Sequence, residues 1–72
     1  MDRKLKLQKI SRTIIVASQK GVGVDKEKLI AMMSVEFGTS RRTCLEYISS
    51  LINSDMIELK EGELWWRDQT QN

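Results

Sequence analysis

One change of period along the chain constrains its fold more than any other feature. Up to Asn53 the apolar residues recur every three or four positions, as on one face of a helix. From Ile57 to Trp66 they alternate instead with Glu58, Lys60 and Glu63, as on a half-buried strand. A chain of 72 residues has room for one domain, and a domain this small buries only about 60% of the surface its unfolded chain exposes. Helices and strands must then share a single core, so the expected class is α+β, in one domain over residues 1–72.

The helical part divides at its glycines. Leu7, Ile10, Ile14 and Ala17 define a first helix within residues 1–20, widened by Leu5, Ile15 and Val16, and Gly21-Val22-Gly23 ends it. Asp25 offers a cap for a second helix from about Lys26, with Glu27 in its first turn and Leu29, Ile30, Met33 and Phe37 on its apolar side. Gly38 closes that helix, and Thr39 and Ser40 are capping residues for a third, running to Asn53. On a helical wheel Cys44, Leu45, Ile48, Leu51 and Ile52 gather on one side, with Arg42, Thr43, Glu46, Ser50 and Asn53 on the other.

The alternating part, residues 56–67, reads as a hairpin around Glu61-Gly62. A two-residue turn sets Leu59 against Leu64 and Ile57 against Trp66, whereas a three-residue turn would flip the second strand and bury Glu63, so the first register is expected. Residues 68–72 read as a frayed tail.

Composition narrows the function. With no His and Cys44 alone, the chain has no zinc ligand set, no Ser-His-Asp or Cys-His arrangement and no internal disulfide. It also lacks a glycine-rich phosphate loop, so neither an enzyme nor a metal or other cofactor is expected. The longest apolar stretch, Thr13 to Ser18, is too short for a membrane span, and no targeting signal is read, which suits a cytoplasmic protein. Net charge is only +2, but it is unevenly spread: residues 1–20 carry six basic groups and one acid (+5), residues 21–45 carry +1, and residues 46–72 carry two basic groups and six acids (−4).

The second helix, the Gly38-Thr39-Ser40 turn, the third helix and the hairpin together resemble a winged helix-turn-helix domain of the kind found in small archaeal and bacterial transcription regulators. The resemblance is carried by residues 25–53 and the wing at 56–67, with a capped polar start to helix 3, an apolar pair at its end and a β-branched Ile57 entering the wing. Ser54-Asp55 stands where such domains often have Gly, and the wing is short. The resemblance implies a double-stranded DNA-binding regulator, cellular or carried by a virus or plasmid, with the start of helix 3 in the major groove. That places Thr39, Ser40, Arg41, Arg42, Thr43, Glu46, Tyr47 and Ser50 near DNA.

Arg42 suits bidentate base readout, and Arg41, nearer the apolar side, suits a phosphate or the core edge. Glu46 can accept from a cytosine or pair with Arg42 four residues earlier; Tyr47 can contact DNA or pack against helix 2. Arg3, Lys4, Lys6, Lys9 and Arg12 can meet phosphates, a partner's acids or solvent, and Lys60 can meet the backbone at the wing. Cys44, Met32 and Met33 read as core. Trp65 faces outward and is an interface candidate with helix 1 for self-association, which in a two-fold dimer sets the two recognition helices about one DNA turn apart. Glu58, Glu61 and Glu63 around the wing tip repel phosphate, leaving a protein-docking module through the acidic wing and Trp65 as the alternative function.

Overall fold

The computed structural model describes residues 3–67. The elements run α1 (Arg3–Gln19), β1 (Val24–Asp25), α2 (Lys26–Phe37), α3 (Arg41–Asn53), β2 (Ile57–Lys60) and β3 (Glu63–Trp66), an α+β fold of three helices and a small antiparallel sheet. The tail expected at 68–72 and the first turn expected at Asp2 lie outside the described residues.

The three helices sit where the glycines and caps put them. Asp25 accepts the Lys28 backbone N–H (3.1 Å) at the start of α2. Gly38 ends α2 at φ +65°, a left-handed conformation that costs a side-chain-bearing residue energy, and its N–H reaches the carbonyls of Met33 and Ser34. Ser40 then caps α3 in both directions, accepting the Thr43 N–H (3.1 Å) and donating to Thr43 Oγ1 (3.0 Å). Where a Gly was missing after α3, Asp55 adopts φ +61°. The Asp55 and Met56 amides bond back to Ile52 (2.9 Å) and Leu51 (3.0 Å), the paired closure of a left-handed helix end.

The hairpin forms in the expected register, with Leu59 opposite Leu64, Ile57 opposite Trp66 and Lys60 opposite Glu63. Glu61 (φ +52°) and Gly62 (φ +80°) make the turn, both left-handed as a tight two-residue connection requires. One strand was not anticipated. Residues Val24 and Asp25 pair with Leu64 and Glu63, so the sheet order is β1-β3-β2 and β3 lies in the middle. Beyond that short strand the Ser18 hydroxyl takes over, accepting the Trp66 N–H at 2.8 Å and tying α1 to β3.

The core joins all three helices and the sheet: Ile10 and Ile14 from α1, Leu29, Ile30 and Met33 from α2, Cys44, Ile48 and Leu51 from α3, and Ile57 and Leu64 from the hairpin. Met32 packs against its edge, and Cys44 is a free, fully buried thiol whose pKa is pushed up by loss of water.

The second glycine after α1 has a role that differs from the one expected. Gly21 supplies the turn at φ +76°, while Gly23 lies beside β3, continuing the β1 register and pressed close to Glu63 and Trp65. A Cβ at Gly23 would stand 2.8 Å from Trp65 Cε2 and 2.9 Å from Glu63 Cβ. Trp65 is therefore on the outer face, as expected, yet half-covered by this segment rather than freely exposed.

Candidate nucleic-acid interface

Helix α3 buries Cys44, Tyr47, Ile48 and Leu51 and turns the opposite side to solvent. That outward stripe consists of Arg42, Glu46, Ser49, Ser50 and Asn53, all exposed and spaced to lie along one face of the helix. With Arg41, Leu45 and Ser54 they line a shallow groove along α3. Ser49 joins the stripe although the sequence reading did not single it out; its place follows from being seven residues after Arg42.

The two arginines at the helix start have separate fates. Arg41 reaches across to α2 and donates to both Glu27 carboxylate oxygens from its two terminal guanidinium nitrogens, Nη1 and Nη2, at 2.5 and 3.0 Å. The side chain is thus engaged with Glu27 while still bordering the α3 groove, and it joins the starts of α2 and α3. Arg42 stands clear, its side chain 91% exposed, with only a loose 3.8 Å contact to Glu46. At that distance and exposure the pair is weak, so Arg42 is free to exchange Glu46 for another acceptor.

The hydrogen bond from Arg41 holds the Glu27 carboxyl below its ordinary value of 4.5, helped by the charges of Arg41 and Lys26 and opposed by desolvation. A carboxyl whose pKa falls on folding stabilises the fold fully above its unfolded value, and loses that contribution as pH drops through the lower folded value. The stability difference between the parent and Glu27→Gln should thus be present at neutral pH and shrink on acidification below about 4.5. Denaturant titrations at several pH values check this; a difference that does not change with pH contradicts it.

Two expected contact residues are not at the surface. Thr39 is 3% exposed, and its hydroxyl is buried among the described residues without a hydrogen-bond partner. It lies in the turn beneath the start of α3 and cannot reach a groove. Tyr47 is 6% exposed, a core residue whose ring is covered by the Arg3 guanidinium at 5.3 Å. Of the rest, Ser40 and Thr43 spend their hydroxyls on the cap, leaving Arg42, Glu46 and Ser50 as the expected residues that remain on the open face.

The basic residues of α1 have different neighbours. Arg3 covers Tyr47, Lys9 pairs with Glu36 on α2 at 3.7 Å, and Arg12 lies in a groove with the exposed Leu5 and Val16 and the half-buried Ile15. Steps of one to three residues spread the five around the helix, with Lys4, Lys9 and Arg12 bordering one groove. On the wing, Lys60 contacts Glu58 at 3.4 Å on the outer face, and Lys60, Glu61, Glu63 and Trp65 border a small depression.

Among the described residues no group of three or more His, Cys, Asp or Glu side chains is placed to hold a metal ion, and no helix is long and apolar enough to cross a membrane. Comparison with protein-family models, curated proteins and solved structures finds no match.

Proposed function

We propose that this chain is a double-stranded DNA-binding transcription regulator of the winged-helix type, acting in the cytoplasm as a homodimer and reading the major groove with α3. The observation that carries the reading is the outward stripe of α3. A helix that buries one side so completely, yet leaves Arg42, Glu46, Ser49, Ser50 and Asn53 uncovered, has the donors and acceptors that base edges and phosphates require. The capped start of α3 adds backbone amides and a positive helix end that favour a phosphate. Arg42 is the guanine reader in this reading, and Arg41, clasped by Glu27, positions α3 without touching a base.

Replacing Arg42 with Ala should weaken binding to a selected duplex by about tenfold or more, as loss of a bidentate guanine contact does. Arg41→Ala should cost less in affinity and more in stability. Competition binding on the selected duplex decides; equal, small losses for both variants would remove Arg42 from base readout.

The depression bordered by Glu61, Glu63 and Trp65 favours a second reading, a module that docks a protein at its acidic wing. In that case Trp65→Ala should abolish partner capture while Arg42→Ala leaves it unchanged.

A further inference from the structure

Strand β2 is an edge: in the order β1-β3-β2 it is paired on one side only. The Arg67 N–H donates to the Met56 carbonyl (2.9 Å), and with the observed register this makes 56/67, 58/65 and 60/63 the hydrogen-bonded pairs. The backbone N–H and C=O groups of Ile57 and Leu59 consequently point away from β3, toward the open edge. Leu59 is also 44% exposed, an apolar side chain left at that edge. Edges are blunted against pairing by short length, by charged side chains, Lys above all, and by Pro or bulges, and charges block a second strand only where like signs meet across the seam. This one carries Glu58 and Lys60, one of each sign, neighbours on the outer face.

We propose that β2 pairs antiparallel with β2 of a second copy, Leu59 opposite Leu59, to join two sheets into one of six strands. The register follows from parity. Bonding the outward groups of Ile57 and Leu59 requires odd residues opposite odd residues across the two-fold axis. Setting Leu59 opposite Ile57 places Glu58 against Glu58, and setting Leu59 opposite Glu61 places Lys60 against Lys60. Ile57 opposite Ile57 has no like-charge pair but sets Glu58 against Met56 and gains no attractive pair, whereas Leu59 opposite Leu59 sets each Glu58 opposite Lys60 of the other copy, two attractive pairs on one face, while the two Leu59 side chains meet on the other. Four residues a side bury far less than the roughly 1,600 Å² of a standard interface, so the association is weak in isolation. The proposal gives a surface to the homodimer invoked above and rests on that part of the reading alone, since it makes no use of DNA.

Sedimentation of the full chain without DNA, from low micromolar to millimolar concentration, tests it. The average mass should rise from 8.3 kDa toward twice that value. Glu58→Lys and Lys60→Glu should each weaken self-association by about tenfold or more, because both symmetric pairs become repulsive. An equimolar mixture of the two variants should recover association, since every cross-strand pair is then opposite in sign. Recovery in the mixture also shows that each variant is folded. A parent that stays at monomer mass overturns the proposal, as do single variants that associate as tightly as the parent. Duplex binding by a monomer would leave DNA recognition standing while removing this interface.

Discussion

Replacing Leu64 with Ala is expected to lower the unfolding free energy by about 2–5 kcal/mol. Leu64 is fully buried on β3, the central strand, where it stands opposite Val24 on one side and Leu59 on the other. Truncation removes apolar contact with the helices and opens a cavity at the buried one of the two positions, Glu63 and Leu64, that both strand pairings share. A domain of 72 residues holds roughly 4–11 kcal/mol in all, at ~0.05–0.15 kcal/mol per residue. A loss of that size leaves a large part of the population unfolded on warming. Leu59→Ala, on the same face but half out in solvent, should cost under about 1 kcal/mol. Urea titrations of the two variants give the comparison, and equal losses would mean that β3 is not the centre of the sheet.

The next largest effect is expected at Gly23. Introducing Ala there should cost about 1–3 kcal/mol, the usual penalty for forcing a methyl into occupied space. Glu63 Oε1, 2.8 Å from the added Cβ, sits at the end of a flexible side chain and can swing aside. Glu63 Cβ cannot move without displacing β3, and the Trp65 ring can clear the methyl only by leaving its rotamer. Combining Gly23→Ala with Trp65→Ala should therefore cost much less than the sum of the two single changes, a coupling that a double-mutant cycle reads directly. Additive losses would show that Gly23 matters through its backbone freedom rather than through the ring above it.

These two positions mark how far the sequence could be read. Glycines, caps and the change of period locate three helices and a hairpin to within a residue or two, because each signal is local. The hairpin register was legible for a stronger reason: its alternative buries Glu63. Strand β1 was not legible, since two residues cannot show alternation, and Val24-Asp25 reads equally well as the lead into a helix cap. Gly23 looked like half of a turn because its close neighbour, Trp65, is 42 residues away.

The candidate site divides in the same way. That Arg42 lies outside and Cys44 inside follows from helical periodicity alone. That Arg41 is claimed by Glu27, 14 residues earlier on another helix, does not, and neither does the burial of Thr39 in the turn between them. Nearness in sequence does not show the neighbours of the basic residues of α1: Arg3 lies over Tyr47, Lys9 pairs with Glu36, and Lys4, Lys9 and Arg12 border one groove. Acidic charge at the wing remains, so in the proposed reading α3 rather than the hairpin is the element that meets a phosphate backbone.

Fluorescence anisotropy of a mixed-sequence duplex, titrated with protein at several salt concentrations, is the most direct test of DNA recognition by α3. Micromolar or tighter binding at low salt is expected, with log affinity falling against log salt at a slope of about −3.6 or steeper, as four or more phosphate contacts require. Absence of binding at about 50 mM salt would contradict DNA recognition and leave the open face of α3 as a solvated helix surface.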